Sequence, residues 1–146
     1  MLEGRIENGV HRLPIRVFYE DTDFSGYVYH ANYLKFCERA RSDFIRLIGF
    51  DQNTMFAADT RTAFVVRRMV CDFLKPARFD DVLVVESRPG ALSGARFMVA
   101  QAVKRGEDTL FTAEVTAVLI DGRGRPTRIP PEMTARFQAV VPDVTT

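Results

Sequence analysis

From Asn32 to Ile48 the chain carries a helical pattern that is apolar around roughly half its circumference, and this constrains the fold more than any other feature. At about 100° per residue, Tyr33, Phe36, Cys37, Ala40, Phe44, Leu47 and Ile48 fall on one stripe, which Leu34 and Ile45 widen. Lys35, Glu38, Arg39, Ser42, Asp43 and Arg46 take the other side. So wide an apolar face must be buried, and the rest of the chain offers mainly strands to bury it. Asn32 is the expected N-cap and Gly49 the expected C′ residue. Arg41, beside the stripe, is expected to pair with Glu38 one turn earlier.

His11–Glu20 partly alternates apolar and polar residues and predicts a first strand. Thr62–Leu74, Val82–Ser87, Ala95–Lys104 and Thr109–Ile120 are rich in Val, Phe and Thr and predict four more strands. The links at Lys75–Asp81, Pro89–Gly94 and Arg105–Asp108 are short, which favours an antiparallel meander over parallel crossovers. Asp51–Arg61 reads as a loop, residues 1–10 as a frayed end, and residues 129–141 as a short C-terminal helix. The class is α+β: one long helix with a curved antiparallel sheet around it, in a single domain over residues 1–146. Both parities of several strands are apolar (Phe64, Val65, Val66; Val82, Leu83, Val84, Val85), so both sheet faces are expected to find cover, which implies oligomerisation.

With 146 residues there is room for one core and not for two ordinary domains. A net charge of +1 gives no electrostatic footprint for nucleic acid. No apolar run approaches the ~18 residues of a membrane span, and the N-terminus shows no signal-peptide pattern. Cys37 and Cys71 have no metal spacing; both are expected to be buried thiols in a reducing, cytoplasmic compartment.

The segment in front of the helix, EDTDFSGYVYHANY from Glu20 to Tyr33, holds three carboxylates, a Gly and the second of two histidines. A calcium loop fits its opening but fails at Asn32, where that loop needs a bidentate Glu. Two readings stay open. Asp and Ser can simply build a turn, with Gly26 supplying positive φ. Alternatively, Asp23 is a nucleophile or general base beside a helix start whose free N–H groups polarise a carbonyl near His30. His11 has no such setting and reads as a solvated strand residue.

The run RVFYEDTDFSGYVYHANYLKFCERAR, Arg16 to Arg41, resembles the signature of hotdog-fold acyl-CoA thioesterases. It is similar to the 4-hydroxybenzoyl-CoA thioesterase-like family, in the branch associated with the bacterial Tol–Pal system. FVVRRM from Phe64, FLKPARFDDVL from Phe73 and GRGRPTRIPP from Gly122 match further family segments in order. The resemblance implies a long helix wrapped by five or six antiparallel strands, in dimers paired edge to edge or dimers of dimers. It implies that Asp23 is catalytic, that the backbone N–H near His30 polarises the thioester carbonyl, and that Tyr19 lies close by. An acyl tunnel between subunits would take Ala63, Phe64 and Val65 from the partner side. Arg96, Arg125 and Arg128 are the candidate ligands for the negative charges of CoA. No metal and no cofactor are expected. The alternative from a different class is a hotdog subunit that binds acyl chains or acyl carrier protein without hydrolysing them.

Overall fold

The computed structural model describes residues 3–141. Six strands, β1 (Arg5–Glu7), β2 (Val10–Arg16), β3 (Ala63–Phe73), β4 (Val82–Ser93), β5 (Arg96–Arg105) and β6 (Asp108–Ile120), form one antiparallel sheet in the order β1-β2-β4-β5-β6-β3. Helix α1 (His30–Leu47) packs on the sheet's inner face, chiefly over β2 and β4. Two shorter helices, α2 (Gln52–Ala57) and α3 (Pro131–Val140), flank it. Helix α3 bears out the expected C-terminal helix.

The wide apolar face of α1 is what the sheet encloses. Phe36, Cys37, Ala40 and Phe44 are buried against Leu83, Val85, Val99, Val103 and Phe111. Each fully buried phenylalanine contributes about 1.5–3 kcal/mol. Phe137 meets Phe44 and Phe97 edge to face at 5.0 and 4.9 Å, Phe44 stacks near-parallel on Phe97 at 6.4 Å, and together they tie α3 to the same core.

Strand β3 is not a meander neighbour of β4. It pairs with β6 at the sheet edge, while β4 lies between β2 and β5. The link after β3 instead crosses the start of α1: Val28 donates to Ala77 O at 2.9 Å, and the Ala77 N–H donates to the Tyr33 hydroxyl at 3.0 Å. These bonds use the backbone groups that a tight hairpin would have used. Along β3 a bulge between Val66 and Arg68 inserts one extra residue. Phe64 and Val66 therefore share the inward face with Met69, Cys71 and Phe73, opposite the buried Leu119, Ala117, Val115, Ala113 and Phe111.

Several sequence expectations need correction. Within residues 1–10, Arg5–Glu7 is a strand rather than a frayed end, joined to β2 through Asn8 and Gly9, both at positive φ; Met1 and Leu2 lie outside the described residues. Asp51–Arg61 contains α2, capped by the Asp51 carboxylate. Pro89–Gly94 is mostly strand, bulged between Pro89 and Leu92. Asp43, on the polar side of α1, is buried, whereas Leu47 at its end is 45% exposed.

His11 is the largest departure. It is fully buried, with Nε2 2.7 Å from Asp43 Oδ2. Arg41 pairs not with Glu38 but with Gln101, donating to Oε1 at 2.9 Å, and Gln101 in turn donates to Cys37 O and Ser87 Oγ. Cys37 is buried as expected and Cys71 only partly. Burial pushes the Cys37 thiol up to about 12, so it stays protonated and inert as a nucleophile at neutral pH.

Candidate active site

Helix α1 begins one residue after Tyr29, whose extended backbone makes it the N-cap in place of the expected Asn32. Tyr29 offers no side-chain cap. Its carbonyl accepts from the Asn32 N–H at 2.8 Å, which leaves the N–H groups of His30 and Ala31 without an intrahelical acceptor. The Asn32 side chain serves the preceding loop, its Nδ2 donating to Asp21 O at 2.8 Å.

The two aspartates of the Asp-Thr-Asp run have separate roles. Asp21 is buried and structural: its carboxylate accepts the Phe18 N–H at 2.9 Å and its carbonyl accepts the Tyr29 N–H at 2.9 Å. These bonds fix the short hairpin against the helix start. Asp23 is exposed at the hairpin tip, where Asp23 N–H donates to Tyr27 O and Gly26 N–H to Asp23 O, each at 3.0 Å. Gly26 sits at φ +86°, the left-handed conformation that closes the turn.

The Asp-Ser turn expected of this segment and the candidate carboxylate Asp23 thus lie in one hairpin. The Asp23 carboxyl is held below the ordinary aspartate range, first by the Ser25 hydroxyl and backbone N–H, then by the electrostatic influence of the His30 imidazole. An ionised, solvent-accessible carboxylate on a hairpin that leads into a helix start with free N–H groups can attack a polarised carbonyl or deprotonate a water. His30 is exposed, its ring 4.6 Å from Tyr29 and edge-on to Phe73 at 6.0 Å. Tyr19 is 81% exposed on a short 3₁₀ turn, edge-on to Phe79 at 6.3 Å.

The remaining candidate residues lie at the other end of the sheet. Phe73 ends β3 beside His30, whereas Ala63, Phe64 and Val65 begin it, ~33 Å away for ten steps of an extended strand. Arg96 opens β5 opposite Val118, which also faces Val65. Arg125 is paired with Asp121 at 3.8 Å, and Arg125 and Arg128 line one surface groove with Asp59, Thr60 and Gly122. The chain thus brings together Tyr19, Asp23 and His30 at one end, and Ala63–Val65, Arg96, Arg125 and Arg128 at the other. Phe64 and Val65 line a cavity of about 150 Å³ with Glu38, Arg41, Ile45 and Phe97; Ala63 does not.

The turn-building expected of Asp and Ser falls to Asp21, Asp23 and Ser25, whereas the part of Asn32, whose side chain holds Asp21 O, was not legible in the sequence. Asp21 and Ser25 carried a signal, since short polar side chains ahead of a Gly bond their own turn. No group of three or more His, Cys, Asp or Glu gathers as metal ligands among the described residues.

Comparison with known proteins identifies the family. Residues 25–112 match the thioesterase superfamily. The chain is 40% identical over 129 residues to the acyl-CoA thioester hydrolase YbgC of Escherichia coli O6:H1, covering 87% of this chain and 95% of that protein. It is 38% identical over 133 residues to the acyl-CoA thioesterase YbgC of Haemophilus influenzae, covering 90% and 96%. The crystal structure of a probable thioesterase from Bartonella henselae superposes with a TM-score of 0.80 at 43% identity, covering 83% of this chain and 99% of that one. With the helix-and-sheet architecture, these matches place the chain in the thioesterase superfamily, as a hotdog-fold thioester hydrolase.

Proposed function

We propose that this chain hydrolyses acyl-CoA thioesters to a free acid and CoA, with Asp23 as the reacting carboxylate. The observation that carries the reading is an exposed Asp23, favoured as the carboxylate, on a hairpin bonded through Asp21 O to the start of α1, where the first N–H groups have no intrahelical acceptor. The carbonyl oxygen of the thioester accepts from those N–H groups, which stabilise the negative charge that develops on it. Asp23 then either attacks the carbonyl carbon, expelling CoA thiolate and leaving an anhydride for water to open, or takes a proton from the attacking water. His30 assists by orienting the acyl group or by giving the thiolate a proton; a thiol of pKa near 8.5 needs little help to leave.

The same reading includes a homodimer, and by family resemblance a dimer of dimers. Strand β3 is an edge of 11 residues on which Val65, Val66, Val70 and Phe73 are each 41–51% exposed. A long apolar edge calls for a partner. Antiparallel self-pairing of β3 about its middle lays Ala63–Val65 of one copy beside the Phe73 end of the other. That closes the ~33 Å separation within one chain and brings Arg96, Arg125 and Arg128 toward the other copy's Asp23. Those arginines are then available for the negative charges of CoA, with Tyr19 at the mouth. A cytoplasmic location fits the two free thiols, and no helix among the described residues is long and apolar enough to cross a membrane. Acyl carrier protein is a possible alternative donor of the acyl group.

Thiol release from a panel of acyl-CoAs of increasing chain length tests the reading. Turnover with at least one member, lost in Asp23→Ala, supports it; no release at any chain length refutes it.

A further inference from the structure

We propose that Ser25 is a positioning residue that fixes which oxygen of Asp23 faces the thioester. This role rests on the reading of Asp23 given above. An exposed aspartate ordinarily rotates about its side-chain bonds and presents either oxygen in many directions. Here Oδ1 accepts two bonds from one residue, the Ser25 N–H at 2.8 Å and the Ser25 hydroxyl. No hydrogen bond from another residue reaches Oδ2 among the described residues, so Oδ2 is the oxygen left to react.

The direction of the hydroxyl bond is also set. The Tyr27 N–H donates to Ser25 Oγ at 3.2 Å, so the oxygen's lone pair faces Tyr27 and its proton is committed to Asp23. The turn holding all three residues is closed by two backbone bonds of 3.0 Å with Gly26 at positive φ, so the clamp has little freedom to open. A carboxylate pinned through one oxygen keeps the other near a productive line of approach, which is where positioning adds to rate. Both bonds also favour the ionised form and hold Asp23 as a carboxylate into more acidic solution. The charged groups around the turn are His30 on α1, which acts in the same direction, and Arg78, whose guanidinium lies 5.4 Å over the Tyr27 ring.

The test compares Ser25→Ala, Ser25→Gly and Ser25→Thr in the full chain. It measures kcat and KM across pH and titrates the Asp23 carboxyl carbon by NMR. Alanine and glycine keep the N–H and remove the hydroxyl; threonine keeps both. Loss of one charge-assisted bond is expected to lower kcat about tenfold with KM little changed. Removing a donor to the ionised form raises the Asp23 pKa, so the acid limb and the NMR titration both move to higher pH. Threonine is expected to return both toward wild type. Wild-type kcat with an unmoved titration in Ser25→Ala and Ser25→Gly overturns the role of Ser25. If Asp23→Asn is inactive in that case, the reading of Asp23 stands and only the clamp fails; if Asp23→Asn turns over normally, the reading itself fails.

Discussion

His11 on β2 and Asp43 on α1 meet in the core with Nε2 and Oδ2 2.7 Å apart, the imidazole fully enclosed and the carboxylate nearly so. The pair pins the far end of the central helix to the sheet, away from the candidate site. Asp43 has a second partner in Arg46, 3.2 Å from Oδ1, but that arginine is largely in solvent. Replacing His11 by Leu leaves a buried carboxylate without its main partner and is expected to cost about 3 kcal/mol. Denaturant unfolding measures it; an unchanged midpoint would mean that Asp43 finds full compensation elsewhere.

Gly4 closes over the same pair. A Cβ added there would overlap Asp43 Oδ2 and His11 Nε2 and come within 3.1 Å of Arg12 O. Gly4→Ala is therefore expected to lose about 1–3 kcal/mol as the N-terminal segment is displaced. A melting temperature equal to wild type would show that this segment moves without consequence.

If each site combines Asp23 of one copy with Ala63–Val65 of the other, two inactive variants can complement one another. Asp23→Asn blocks the chemistry, and Val65→Trp fills the space across the interface. Mixed and refolded in equal amounts, half the dimers are mixed and each regains one intact site, so activity returns to about a quarter of wild type. Sites built within single chains would give no recovery.

Asp23 is held below the ordinary aspartate range by Ser25 and His30, and in the proposed reaction its ionised form is the active one. Protonation, and with it loss of activity, comes only once pH falls below the usual aspartate titration. The acid limb of kcat/KM should therefore lie on the acidic side of that range. A limb on its alkaline side would assign the essential base to another group.

The central helix was legible because its periodicity is local and its apolar face wide. Five of the strands were legible for the same reason, one from apolar–polar alternation and four from Val, Phe and Thr runs between turns. What escaped were relationships between distant segments. The place of β3 beside β6 depends on hydrogen bonds that the link to β4 makes over the helix start, at Ala77. His11 looked solvated because its partner lies 32 residues away on the polar side of α1. The β1 strand was missed despite a local cue, since Asn8-Gly9 is the strongest short signal for a tight hairpin. At the site, Asp23 and His30 stood out by their place before a helix. The division of labour between Asp21 and Asp23 did not, because only burial separates them.

In the proposed reaction Asp23 performs the chemistry, and the hairpin exists without it. Asp23→Asn keeps the size of the side chain and an acceptor for Ser25 but removes the negative charge. Thiol release should fall by at least about a thousandfold, the scale of losing an activated nucleophile or base, with circular dichroism and melting unchanged. Turnover within a few-fold of wild type in that folded variant would contradict the account.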